Sequence, residues 1–166
     1  VDVTIMNLLG LDATCFGNHE FDLGTQPIRD WMTPNSTTAT VSTINGLTAN
    51  IANVNQRIAE VYSQGHPPND LLDERDRLIS QLSDKVQITT VGASDGTTSV
   101  FIAGGQRLVL GIEAAKLQVV DDPAIATRSA IAINEAGFLR TLPESTLGGG
   151  ELAGLLKFQN NDLVEA

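Results

Sequence analysis

Between Ile44 and Val61 the apolar residues Ile44, Leu47, Ile51, Val54, Ile58 and Val61 follow one another at steps of three and four. That spacing returns to one face of a helix and cannot line one face of a strand. Asn45, Asn50, Asn53, Asn55 and Gln56 fall on the other faces and keep them polar. A seam this narrow predicts coiled-coil packing rather than a deep globular core. Gly65 suits a left-handed C-cap, and His66-Pro67-Pro68 cannot continue a helix. Asn69 or Asp70 is then expected to cap a second helix, with Asp73 and Glu74 near its positive end. Its apolar stripe is Leu71, Leu72, Leu78, Ile79, Leu82 and Val86. The charge run Asp73-Glu74-Arg75-Asp76-Arg77 reads as a solvated face, each i,i+4 pair contributing roughly 0.2–0.5 kcal/mol. The short connection predicts antiparallel neighbours.

The pattern then changes to period two. Ile88–Val91 and Thr98–Ile102 flank the hairpin signal Ser94-Asp95-Gly96-Thr97. Gly104-Gly105 leads into Arg107–Leu110, Lys116–Val120 ends at Asp121-Asp122-Pro123, and Ala130–Ile133 pairs with Phe138–Leu142. These short strands predict a small antiparallel sheet or open barrel. Neither Gly104-Gly105 nor Gly148-Gly149-Gly150 precedes a Lys-Ser/Thr pair, so both read as turns rather than phosphate cradles. Glu151–Val164 reads as a returning helix, with Leu152, Leu155, Leu156, Gln159 and Leu163 on one stripe. The expected fold class is α+β: an antiparallel helical hairpin or coiled-coil bundle, an inserted small antiparallel β domain and a returning C-terminal helix.

Charge narrows the function classes. Ten basic and 20 acidic residues give a net charge of −10, which disfavours nucleic-acid and membrane-surface binding. No apolar run approaches a membrane span, and no signal-peptide pattern is seen at the N-terminus. The single cysteine, Cys15, excludes an internal disulfide and a cysteine-based zinc site. Cys15, Met6, Met32 and Trp31 all lie in the first 32 residues, which places a boundary at Thr33-Pro34-Asn35-Ser36. Ahead of it, Val3–Leu9 reads as a helix, Asp12–Phe16 as a strand, Gly17–Gly24 as a loop, and Gln26–Met32 as the start of another helix with Pro27 in its first turn. In that loop Asn18 offers a hard oxygen ligand, and His19 a metal ligand or proton donor. The sequence has only two histidines, His19 and His66, and no D-x-H or GD-x-x-D block. A two-metal hydrolytic centre cannot be assembled from that inventory, so the loop reads as inert. The start at Val1 and the stop at Ala166 within a helical pattern lead us to expect a fragment.

Two stretches carry family resemblances. GLDATCFGNHEFDLG is similar to the GNHE block of the calcineurin-like metallophosphoesterases, most closely the 5′-nucleotidase branch. That resemblance implies Asn18 as a metal ligand, His19 as the phosphate-facing acid, and divalent ions such as Mn or Zn as cofactors. It covers about 30 residues. The longer stretch INGLTANIANVNQRIA, followed by PNDLLDERDRLISQLSDKVQITTV, resembles the hook–filament junction family of flagellar hook-associated proteins. SVFIAGGQRLVLG and GGGELAGLLKFQNNDL extend the resemblance over residues 36–166. This second resemblance outweighs the first. It implies a structural, non-enzymatic role in the flagellar axis, without a cofactor. It further implies an extracellular location reached without a cleavable signal peptide. The implied partners are the hook protein, hook-associated protein 3 and further copies in a junction ring, with no nucleic acid or membrane. The seam Ile44, Leu47, Ile51, Val54, Ile58, Val61, Leu71, Leu78 and Leu82 is then expected to pack against other subunits. The expected division is 1–35 as a phosphoesterase-like stretch, 36–86 with 148–166 as a helical rod, and 87–147 as a β domain. Residues 1–32 stand outside the second pattern, which suggests a chimera.

Overall fold

The structure, a computed structural model, describes residues 26–62, 68–102, 104–125, 128–135 and 137–162, with side chains described from Ser36 to Asn160 within those ranges. The elements expected within residues 1–25, the Gly65 cap, His66, Leu163 and Val164 lie outside the described residues.

Helix α1 spans Gln26–Tyr62, 37 residues, or about 55 Å at 1.5 Å per residue. It starts where the Gln26–Met32 reading places a helix. The backbone stays helical across Thr33–Ser36, where composition places a boundary, and so runs through Pro34. A mid-helix proline removes one ladder donor and costs about 3 kcal/mol. From Thr37 onward one face of the helix is buried against other elements, and packing of this kind outweighs local propensity.

Helix α2 spans Asn69–Lys85 and lies against α1. Its N-cap is Pro68, not Asn69 or Asp70, and it has no side-chain cap. The Pro68 carbonyl accepts from Leu71 N and Leu72 N, both at 3.0 Å. Asn69 is already inside the first turn, so its carboxamide is not at the cap position.

Seven strands follow: β1 Ile88–Gly92, β2 Thr98–Ile102, β3 Gln106–Leu110, β4 Glu113–Ala114, β5 Lys116–Asp121, β6 Ser129–Glu135 and β7 Phe138–Leu142. They form two antiparallel sheets, β1-β2-β3-β4 and β5-β6-β7, rather than one sheet or a barrel. The hairpins pair Ile88 with Ile102, Gly92 with Thr98, Ile131 with Leu142 and Glu135 with Phe138. The β2–β3 register jumps between Val100↔Val109 and Phe101↔Arg107, leaving Leu108 as an extra residue. That bulge lets Leu108 and Val109 both turn inward, each fully buried. A two-residue strand such as β4 carries too little pattern to be seen in the sequence.

A 3₁₀ turn at Glu144–Thr146 leads to α3, Glu151–Lys157, which continues as a π-helical turn over Phe158–Asp162. The sequence reading expects one regular helix there. Gly150 has φ +86, and a Cβ on it would sit 2.7 Å from Val86 N. Only glycine allows α3 to start this close to the end of α2. Gln87 N donates to Gly149 O at 3.0 Å, so the glycine run is a docking turn.

One core joins α1, α2, α3 and both sheets, and it includes Ile44, Ile51, Ile58, Leu82, Leu108, Leu117, Ile133 and Leu156. Ile51 is fully buried near the middle of α1. Ile51→Ala is expected to lower stability by about 2–5 kcal/mol. Val91→Ala, on an exposed strand position, should change it by less than ~0.5 kcal/mol. Urea unfolding of the two variants checks the difference.

Candidate functional site

The side chains that position the other elements lie along α1. Its buried positions are Thr37, Val41, Ile44, Thr48, Ile51, Asn55 and Ile58, a run of alternating four- and three-residue steps, with Thr40, Ala52 and Val54 beside it. Ile44, Ile51, Val54, Ile58, Leu78 and Leu82 from the expected seam are buried within this protein. Leu47, Val61 and Leu71 are half-buried at its margins. The subunit-packing reading is therefore corrected for those six buried side chains, which have almost no surface left for another molecule. The cause is the sheets, which add apolar walls to those of α2 and turn a narrow seam into a wide buried arc.

Polar residues complete the site. Asn55 is fully buried, although the sequence reading places it on a polar face. Its Nδ2 donates to Thr98 O at 2.8 Å and Gly111 O at 2.7 Å, and its Oδ1 accepts from Thr98 N at 3.1 Å. Ten residues earlier, Asn45 Nδ2 donates to Leu117 O at 2.9 Å, and its Oδ1 accepts from Leu117 N at 2.8 Å. Asn160, in the π turn, treats Ser129 in the same way: Nδ2 to Ser129 O at 3.0 Å and Ser129 N to Oδ1 at 3.2 Å. It also donates to Glu144 Oε2 at 3.1 Å. Each carboxamide thus grips the N–H and C=O of one strand residue, as a neighbouring strand would. The π turn brings two consecutive side chains to Ser129, since Gln159 Nε2 also donates to its Oγ at 2.6 Å.

Two charged contacts tie the helices. Glu151 Oε1 accepts from Thr40 Oγ1 at 2.6 Å, and its Oε2 accepts from Lys85 Nζ, so one carboxylate joins α3, α1 and α2. Partial burial opposes its ionisation, but the Lys85 and Thr40 hydrogen bonds outweigh this and hold its carboxyl below the ordinary value. Arg75, read in the sequence as part of a solvated charge run, is buried and donates from Nη1 to Gly96 O at 2.6 Å. It anchors the β1–β2 turn, where the Thr97 hydroxyl and N–H also hold Asp95 below its ordinary carboxyl value. Glu74 reaches Arg57 of α1 at 3.6 Å.

Asn18 and His19, the metal and acid candidates, lie outside the described residues. Among the described residues no group of three or more His, Cys, Asp or Glu side chains is placed to hold a metal ion. Sequence reasoning missed Asn45, Asn55, Asn160, Thr40, Arg75 and Glu151. The signal for Asn55 was present, since it lies four residues after Ile51 and three before Ile58.

A sequence model described as the flagellar hook-associated protein FlgK helical domain matches residues 31–166. Flagellar hook-associated protein 1 of Salmonella typhimurium is 38% identical over 128 residues, covering 75% of this chain and 23% of that protein. The solved flagellar hook junction protein FlgK from Burkholderia pseudomallei superimposes with a TM-score of 0.71 at 35% identity, covering 80% of this chain and 25% of the other. The protein described here therefore spans about a quarter of the length of these relatives. A separate 37-residue match, 49% identical, is to the trifunctional nucleotide phosphoesterase YfkN of Bacillus subtilis, of which it covers 2%.

Two outcomes follow from the site. Asn55→Ala strands three backbone groups and should cost at least about 1–3 kcal/mol in urea unfolding, while Gln56→Ala on the exposed side should stay within ~0.5 kcal/mol. Because the folded Glu151 pKa is depressed, its contribution is complete above the unfolded carboxyl value and is lost as pH falls through the folded value. Thermal unfolding in acid should accordingly show a shallower loss of stability for Glu151→Gln than for the parent.

Proposed function

We propose, for a chain that belongs to the flagellar hook-associated protein FlgK family, that it serves as a structural segment of the bacterial flagellum at the hook–filament junction and acts in axial assembly. The family match over residues 31–166 carries this reading. The geometry supports it. With the apolar stripe of α1 used internally, the outward face over residues 42–53 consists of small and polar residues: Ser42, Thr43, Gly46, Ala49, Asn50 and Asn53 are all exposed. A rod with such a face favours many modest contacts repeated by symmetry over one greasy interface. The partners proposed are the hook protein, hook-associated protein 3 and further copies of the same protein, outside the cell. Export without a cleavable signal peptide belongs to the same proposal, as do the absence of a cofactor and of enzymatic activity.

Sedimentation with purified hook and hook-associated proteins tests the partners. Co-sedimentation with one of them, weakened by bulky substitutions such as Ala49→Trp on the outward face, is the expected result. No association with any of them, at concentrations where the full-length relative associates, would refute it. For the hydrolytic alternative, nitrophenyl phosphate with Mn²⁺ or Zn²⁺ should release product no faster than the metal alone, and His19→Ala should change nothing.

A further inference from the structure

Asn45-Gly46 is the only Asn-Gly pair in the sequence, and it falls on the clamp that joins α1 to β5. Gly46 is exposed, its φ is ordinary, and a Cβ built on it would meet nothing within 4 Å. Within this protein no turn, close approach or backbone conformation asks for glycine there, although glycine inside a helix costs about 0.5–1 kcal/mol relative to alanine. What glycine does supply is reactivity. With no side chain in the way, the Gly46 backbone nitrogen is free to attack the Asn45 carboxamide carbon. A new C–N bond closes a five-membered imide, and the bond from that carbon to Nδ2 breaks. The amide leaves as ammonia, carrying the proton given up by the Gly46 nitrogen. Water then opens the ring to aspartate or isoaspartate. No electrons change hands, and water is the only co-reactant.

The fold opposes the first step twice. In α1 the Gly46 N–H is committed to the helical ladder. The Asn45 carboxamide is pinned at both ends, 2.9 and 2.8 Å from Leu117 O and N. The other two clamps are less reactive by sequence, since Asn55 precedes Gln56 and Asn160 precedes Asn161. Any substituent at the following Cα hinders attack by that residue's nitrogen. Conversion would be permanent. Aspartate has no N–H to give Leu117 O and turns a carboxylate oxygen toward it instead, and isoaspartate adds a methylene to the backbone and breaks the ladder.

We propose that Asn45 is a latent deamidation site, shut while α1 and β5 are joined and hydrolysed once they part, so that the molecule keeps an irreversible record of opening at this junction. The test is to incubate the 166-residue protein in mildly alkaline buffer with and without urea and follow each asparagine by peptide mass spectrometry. Asn45 should convert on the order of tenfold or more faster in urea, because reaction in the folded state is limited to the open fraction. Gly46→Ala should slow it strongly in urea while leaving the fold intact. Asn45→Asp, which mimics the product, should speed hydrogen exchange at Leu117 N–H and spare Thr98 N–H, which Asn55 holds. Equal rates with and without urea would overturn the proposal. So would conversion unaffected by Gly46→Ala, or an Asn45→Asp variant that either keeps Leu117 protected or loses Thr98 to the same degree.

Discussion

A helix laid along sheets meets a hydrogen-bond problem before it meets a packing problem. The N–H and C=O groups at the start or edge of a strand lose water when the helix arrives, and the helix backbone has none to give back. Here asparagine side chains supply them. Asn45 closes the free edge of β5 at Leu117, Asn55 finishes the β2–β3 ladder at Thr98 and Gly111, and Asn160 takes the first residue of β6. Without these carboxamides, burying Ile44, Ile51 and Ile58 against the sheets would strand polar groups at about 1–3 kcal/mol each. The apolar core therefore depends on a few polar side chains placed inside it.

The other features of the architecture follow from α1 acting as a shared wall. Both sheets, α2 and α3 pack on it, so its buried arc is wider than a coiled-coil seam. Glu151 links α3 to both α1 and α2 through Thr40 and Lys85, and Gly150 allows the close approach that puts it there. Once the apolar side chains are used internally, what remains outward on α1 between Ser42 and Asn53 is small and polar.

Much of this was legible in the sequence, and the exceptions have physical causes. The helical hairpin, the strands Ile88–Val91 through Phe138–Leu142, and the helix starting at Glu151 all stand where periodicity and turn chemistry put them. The phase of the α1 seam was half right. Counting only apolar residues selects Leu47 and Val61, which are half-buried, and passes over Thr48 and Asn55, which are buried. A periodicity count treats polar residues as outward, but a buried asparagine with three backbone partners is as much a core residue as isoleucine. Arg75 escaped for the same reason, because its partner, the carbonyl of Gly96, is 21 residues away and invisible to local pattern. Composition marks a boundary at Thr33–Ser36 but says nothing of whether a helix crosses it, and α1 does. The π turn after Lys157 has no local signal. It shows only through what it accomplishes, bringing Gln159 and Asn160 to one residue.

The claim that helix-borne carboxamides hold the strands is tested most directly by native-state hydrogen exchange on the unmodified protein. The amides of Leu117, Thr98 and Ser129 have asparagine oxygens as acceptors. If those bonds fasten the sheets to the spine, the three amides will exchange only through global unfolding, with the same free energy and denaturant dependence as amides in the middle of α1. Exchange through small local openings, at free energies typical of a fraying sheet edge while α1 stays protected, would contradict it.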